Sequence, residues 1–465
     1  MSLDDFSTVI VAGEGPALTQ VGFGTLGILA HFPASMFGGD LSTVVTSKAA
    51  LTGTEDDPLL DSNHPAVIAL ERALQQSPQP SPIKMLRMTA APVPSIRLTP
   101  AADDATVYSF TLELVGKSPV DISITSDEDG TVDEICDAIE LAIEDLDDSG
   151  EDLEGLVVTA SGATATHLDL SMAAGNWFYI RDWNHDRIDV EDRTPDPGVD
   201  ANLSAIRAVD ADWYHLGCAH NSKAITKEVA DWAETQRVLF GCSTSDSNAR
   251  DTGETGDIQS LLDAVSYART ICIFDKVGTD GMAGVAMMAE RAPFDPGSPP
   301  HAGGDFNAKT LTGVPASNLT PDEKADLRSK GYTVIETTAG RVHTLGGDAA
   351  GGKPMDQTRF EDWFAIRLQE RFAALTLNND RVPMSKVGLA MYESECRAQI
   401  QAGITAGGIL AVDSLGLEPT VSVPTLGQIP SNERSARLLG GPGIVIEYTY
   451  SGAIREARCS VFVKL

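Results

Sequence analysis

Long apolar runs, paired cysteines and an excess of basic residues are all missing from this 465-residue chain. No run approaches the roughly 20 apolar residues of a bilayer span, so no transmembrane helix is expected. The first residues, MSLDDFSTV, carry two acids. With neither a basic region nor an apolar stretch there, they do not read as a secretory signal. The six cysteines, Cys136, Cys218, Cys242, Cys272, Cys396 and Cys459, are widely spaced with no CxxC pair. That pattern predicts reduced thiols and no disulfide framework. Lys and Arg number 34 against 67 Asp and Glu, a net charge of −33. Such a surface repels phosphates and argues against nucleic-acid partners. HExxH and GxSxG are absent as well, which removes two strong signatures of hydrolytic chemistry.

What is present is a soluble-type composition, 42% hydrophobic and 22% charged, in a chain long enough for two or three domains. The charge is unevenly spread. Residues 95–200 hold 26 acidic residues against 5 basic ones, net −21, whereas residues 301–465 hold 18 against 17. The acid load thus belongs to one module and reads as a solvated outer surface.

Periodicity divides the chain further. A strand is expected over Thr25–Ala30, loop over 38–63, a helix over His64–Gln76 and a strand over Ile83–Met88. The segment 95–182 then reads as a small α+β insert. Tyr108, Phe110, Leu112 and Leu114 alternate with polar neighbours, as do Val120, Ile122 and Ile124. Thr131 and Glu134 form a capping-box pair. The helix behind them has Ile135, Ile139, Ile143 and Leu146 on one stripe and acids on the other. Strands near Leu156–Thr159 and Thr166–Leu170 follow. Trp213–Ala219, Val238–Ser243 and Thr270–Phe274 are short apolar runs separated by helical patterns, the signature of buried parallel strands. The fold class expected is therefore multidomain α/β and α+β: a Rossmann-like three-layer core, the acidic insert, and a C-terminal part with a sheet and helices. Long helices are expected after the Gly-rich stretch 346–352 and from Lys386. A terminal hairpin should pair Ile444–Tyr450 with Glu456–Val463.

Several motifs imitate chemistry. Gly22-Phe-Gly-Thr-Leu-Gly27 matches GxGxxG, but a dinucleotide site needs a strand before it and a helix after it, and Pro33 follows too soon. Gly347 to Lys353 reads GxxxxGK, yet Pro354 stands where a P-loop needs Ser or Thr. Asp182, Asn184 and Asp186 resemble the start of an EF-hand, but Arg187 replaces the turn glycine and Arg193 the final Glu. His215, Cys218 and His220 are close in sequence, but period two splits them between faces and no fourth ligand is evident. Asp210 and Asp212 read better as caps than as an acid–base pair. The expectation is no catalytic, cofactor-binding or metal-binding residues and no enzyme activity.

One set of stretches points elsewhere. It comprises Asn176–Ile180, Arg193-Thr-Pro-Asp-Pro-Gly198, Ala211-Asp-Trp-Tyr-His-Leu216, Val229-Ala-Asp-Trp-Ala233 and Pro296-Gly-Ser298. It continues with Lys309-Thr-Leu-Thr-Gly-Val-Pro315, Leu319-Thr320, Lys330-Gly-Tyr332, Asp356, Asp362-Trp363, Pro383 and Gly388. In this order the set resembles the tail sheath family of contractile-tailed phages. Residues 95–182 resemble the inserted outer domain of such proteins.

The resemblance implies a structural subunit of the virion tail, assembled in the host bacterial cytoplasm. It would polymerise with itself around the tail tube protein, between baseplate and tail terminator proteins, without cofactor, nucleic acid or membrane. Contraction of the lattice would drive the tube through the host envelope. It also implies terminal arms that add strands to neighbouring copies. Residues 4–12 and 456–465 fit that role through Phe6, Thr8, Val9, Ile10 and Val11, and through Cys459, Val461, Phe462 and Val463. Gly13, Gly15, Gly440, Gly441 and Gly443 would be the hinges.

The organisation expected is an arm over 1–20, an α/β core over 21–94 and 183–300, and the acidic insert over 95–182. An inner tube-facing domain over 301–443 and a hairpin with arm over 444–465 complete it. The competing readings are a Rossmann-like nucleotide-binding enzyme, with its ligand near Cys218, Cys242 and Asp275, and another virion component such as a tube or adhesion protein.

Overall fold

The computed structural model describes residues 22–455, apart from 55–56, 150–152, 163, 277, 300–303 and 441–442. Two compact units emerge: one comprises Gly24–Pro293 and Ala308–Met355, and the other takes in Phe294–Asn307 and the chain from Asp356.

The first unit is built on an eight-stranded sheet. Strands β1 (Leu26–His31), β2 (Ser42–Val45) and β3 (Ile83–Met88) come from its first ninety residues, with helix α1 (Pro65–Leu74) between the last two. The reading of 38–63 as loop is corrected here: Ser42–Val45 pairs antiparallel with β3 at the sheet edge. Four residues beside Gly and Asp are too few for alternation to stand out.

The next hundred residues form two antiparallel sheets and one helix. Their elements are β4 (Ser95–Pro100), β5 (Val107–Leu114), β6 (Val120–Thr125), α2 (Val132–Ser149), β7 (Val157–Ala160), β8 (Leu168–Ser171), β9 (Phe178–Arg181) and β10 (Ile188–Asp192). The sheet orders are β10-β4-β8-β7 and β9-β5-β6. One apolar cluster serves both, including Phe110, Ile139, Leu168 and Trp183. The capping box forms as expected: Thr131 N–H donates to Glu134 Oε2 at 3.0 Å, and Glu134 N–H to Thr131 Oγ1 at 3.3 Å.

The chain then returns to the large sheet through α3 (Val199–Val209), β11 (His215–Cys218), α4 (Lys223–Thr235), β12 (Leu239–Thr244), α5 (Ile258–Asp263), β13 (Thr270–Phe274) and α6 (Ala283–Arg291). Helix α7 (Pro321–Ser329) and strands β14 (Thr333–Thr338) and β15 (Arg341–Leu345) complete it. The order is β15-β14-β13-β12-β11-β1-β3-β2. The six inner strands run parallel and each edge is antiparallel.

The pleat sorts side chains between two layers. Leu216, Cys218, Phe240, Cys242, Cys272 and Phe274 share a cluster with Ile225, Val229 and Trp232 of α4 and with Leu203 and Ile206 of α3. Gly217 and Gly241 face α6 on the other side. There a Cβ on Gly241 would lie 2.6 Å from the Gly284 carbonyl, so the helix rests on the strand backbone at a glycine–glycine contact. No helix among the described residues is long and apolar enough to cross a membrane.

Three of the histidines in this unit, His31, His64 and His220, act on one another. His31 N–H donates to His220 Nε2 at 3.4 Å, and Ala66 N–H donates to His64 Nδ1 at 3.2 Å, which caps α1. Burial, then the nearby His31, lowers His64 to about 4. Burial, then His64 and His31, lowers His220 to about 3. Unfolded histidine titrates near 6.5, so both stay neutral in the fold where the open chain would be charged. Their contribution to stability is complete above pH 6.5 and is lost as pH falls toward 4. His64→Asn keeps a capping acceptor and removes one of these protons. Its urea midpoint is expected to drop less than the wild type's between pH 6.5 and 4. An equal drop would contradict the assignment.

The second unit carries the two long helices, α8 (Met355–Asn378) and α9 (Lys386–Ala406), and a two-stranded ribbon of β16 (Thr420–Ser422) and β17 (Val445–Glu447).

Candidate functional site

The arm residues Phe6, Thr8, Val9, Ile10, Val11, Cys459, Val461, Phe462 and Val463 lie outside the described residues, as do hinge candidates Gly13, Gly15 and Gly441. The other two hinge candidates are visible. Gly443 has φ +71°, a conformation that favours glycine, and a Cβ on Gly440 would meet the Glu433 carboxylate at 2.7 Å. The candidate site is therefore the part of the second unit from which the C-terminal segment departs.

The ribbon is short and exposed. Thr420 pairs with Glu447, Val421 with Ile446 and Ser422 with Val445, antiparallel. Only the middle residue of each strand is partly buried. Among the described residues no third strand pairs with either outer edge. The strand expected to close the terminal hairpin is not among the described residues. The described partner of 445–447 precedes it in the sequence, while 456–463 lies outside the described residues. Exposed apolar side chains belong to the same region: Val412, Leu415, Leu417, Leu438, Val445 and Ile454, with Leu415 at 79% and Ile454 at 89%.

Beyond β17 the chain is anchored. Leu410 N–H donates to the Thr449 carbonyl at 3.1 Å, and Ser451 N–H to the Gly408 carbonyl at 2.9 Å. Tyr448 packs on Phe364 and Tyr450 on Phe360, ring centroids 5.0 and 5.4 Å apart, both partners on α8. Tyr450 O–H donates to Asp356 Oδ2 at 2.8 Å, and the Arg455 guanidinium reaches Asp305 at 3.0 Å and Asp356 at 3.1 Å. Burial raises the Asp356 carboxyl, opposed by the Tyr450 hydrogen bond and the Arg455 charge. Burial, then Asp356, raises the Tyr450 phenol. The clasp thus fixes the last described residue before the C-terminal segment. Sequence reasoning missed it because its members are 50 to 150 residues apart, with no local pattern. The β16 strand did leave a signal, a Thr-Val-Ser-Val run between Pro419 and Pro424.

The motifs that imitate chemistry are occupied by structure. Gly22–Gly27 leads into β1, with no helix behind it. In the GxxxxGK loop, Ala349 N–H donates to the Lys353 carbonyl, Ala350 N–H to Thr270 and Gly351 N–H to Tyr267, while Gly347 N–H donates to Thr333 Oγ1. These amides are committed to protein acceptors, where a P-loop would turn them to phosphate. Asn184 and Asp186 belong to a turn closed by Asp186 N–H on Asn184 Oδ1 at 3.3 Å. Asp210 caps locally and takes Lys84 Nζ at 2.8 Å. Among the described residues no group of His, Cys, Asp and Glu could hold a metal ion.

At the C-terminal ends of β11, β12 and β13, where an open α/β sheet would place a ligand, the cavity measures about 30 Å³. That is room for one water, against at least roughly 300 Å³ for ligand sites. Of its carboxylates, Asp192 accepts from Thr194 N–H, Asp246 from Asn248 N–H, and Glu191 pairs with Lys223. Burial lifts Asp192 to about 6.

No family model matches this chain, and neither does any curated protein. Solved structures do. A chain of the cryo-EM structure of the anti-feeding prophage baseplate aligns with a TM-score of 0.51 at 12% identity, covering 98% of this chain and 97% of that one. The contracted helical sheath of the same prophage gives 0.49 at 11% identity, covering 98% of both chains. A sheath tail protein from Desulfitobacterium hafniense gives 0.45 at 10% identity, covering 95% of this chain and 99% of its own. The protein shares the fold of that baseplate chain over nearly its whole length.

Proposed function

We propose that this protein is a structural subunit of a contractile tail sheath, which polymerises around a tail tube and shortens to drive the tube through a host envelope. The observation that carries the proposal is the ribbon of Thr420–Ser422 and Val445–Glu447. Its outer edges are unpaired among the described residues, in a chain whose ends at 4–12 and 456–465 are rich in strand formers. An exposed strand edge invites pairing with another chain. An added strand contributes main-chain hydrogen bonds, and alternate side chains give it register. The ribbon is then the acceptor and the terminal segments of adjacent copies are the donors, with Gly13, Gly15, Gly440, Gly441 and Gly443 flanking the tethers. The end-to-end fold likeness to a baseplate chain supports the same reading.

The six parallel strands support a Rossmann-like core used as a scaffold, and the acidic segment 95–182 would form the outer layer as an inserted domain. The near-neutral C-terminal part would face the tube. The partners proposed are further copies of the chain, the tube protein, and baseplate and terminator proteins. The place proposed is the virion tail, after assembly in the host cytoplasm. Neither a cofactor nor a nucleic acid or membrane enters the proposal.

A synthetic peptide of residues 456–465, in excess during assembly, is expected to occupy the acceptor and shorten the polymers seen by sedimentation. Unchanged polymer length with the native peptide, equal to that with a scrambled one, would count against strand donation.

A further inference from the structure

The central strands of the large sheet carry three cysteines in a row. Cys218 ends β11, Cys242 lies in β12 and Cys272 in β13, and all three belong to the buried layer beneath α4. Cys242 and Cys272 are direct register partners in a parallel ladder. Their sulfurs are 3.3 Å apart, and Cys242 Sγ also lies 3.5 Å from the Ile271 carbonyl. Neighbouring strands run about 4.8 Å apart, inside the Cα range of roughly 4.4–6.8 Å that a disulfide spans. Closing the bond therefore needs side-chain rotation and a small approach of the sulfurs. Cys218, one strand away, makes no sulfur contact of this kind among the described residues.

We propose that Cys242 and Cys272 are a disulfide-forming pair, a covalent strap across the middle of the sheet that a two-electron oxidant closes and a thiol reopens. The bond joins two strands of one chain and encloses residues 243–271. Each thiol gives up its proton and the pair gives up two electrons. Hydrogen peroxide takes the two electrons and two protons, its O–O bond breaks, and two waters leave. The hydrogen bond with Cys242, then burial, holds the Cys272 thiol far above its usual range. Thiolate is scarce at Cys272 for that reason, so the bond closes slowly. None of this depends on the sheath reading.

The test oxidises the folded full-length protein with diamide, whose N=N bond accepts the two protons and two electrons to become a hydrazine. The product is unfolded, alkylated and mapped without reductant. The expected result is four alkylated cysteines of six, one peptide pair joining Cys242 to Cys272, and a melting temperature raised until dithiothreitol restores it. Cys242→Ser should retain five alkylatable thiols. Six alkylated thiols in the wild type would overturn the proposal, as would a link made only through Cys218 or another cysteine. So would a Cys242→Ser protein that still loses two thiols.

Discussion

Removing residues 1–12, or residues 456–465, is expected to abolish polymerisation while leaving both units folded. The sheet, α3–α7 and the acidic segment lie between Gly24 and Met355, outside both deleted segments. The Arg455 clasp on Asp305 and Asp356 is complete before residue 456, so the second truncation keeps the anchor and loses only the donor strand. If the donor fills the ribbon edge of an adjacent copy, each truncation removes one interstrand ladder per subunit contact, and a lattice that repeats the contact cannot propagate. Sedimentation velocity would read a single subunit-sized species for each truncation, and circular dichroism a melting curve close to that of the full chain. Polymers of normal length from both truncations would contradict the model of exchange.

Asp257→Ala is expected to have the largest effect of any single side-chain change on the stability of the first unit. Asp257 is fully buried and caps α5 through Ser260 N–H at 3.1 Å. It also accepts from Ser260 Oγ and Tyr332 O–H, both at 2.6 Å, and from Lys330 Nζ at 2.9 Å. Burial alone would raise its carboxyl, but these hydrogen bonds outweigh burial and hold it below the usual range. With alanine there, the Lys330 ammonium, its side chain 8% exposed, keeps only the Asn248 carbonyl at 2.7 Å. Breaking a buried pair this way costs about 3–5 kcal/mol. Asp257→Asn keeps the cap and an acceptor for Tyr332 while losing the charge, and should fall between the two. Urea unfolding followed by the fluorescence of Trp213 and Trp232, which stack in this unit, measures the loss. A change below about 1 kcal/mol, ordinary for a surface substitution, would contradict this account.

The elements that were legible in the sequence are those whose physics is local. Strands β11, β12 and β13 are buried on both faces, so they read as apolar runs. Helix α2 has a capping box and a stripe on an acidic background. Helix α3 was not anticipated. Its N-cap is Gly198, in a left-handed conformation with no side-chain cap, so the usual start signal is missing. Strand β2 was hidden by its shortness. Strand β4 is central to its sheet only because β10 and β8 arrive from 70 to 90 residues downstream, and nothing in Ser95–Pro100 encodes that.

The candidate site divides in the same way. Strand-forming termini and glycines are visible in composition, whereas the ribbon pairing and the Asp356–Arg455 clasp are products of tertiary structure. The motifs that imitate chemistry carry a second local signal in their neighbours. Pro33 and Pro354 cost those segments the backbone geometry a phosphate site needs.

Negative-stain electron microscopy of the purified full-length protein tests the central claim most directly. The account predicts that copies of this one chain build long hollow cylinders by completing one another's open sheet edges. A field of discrete particles that never elongates, at any protein concentration or ionic strength, would contradict it.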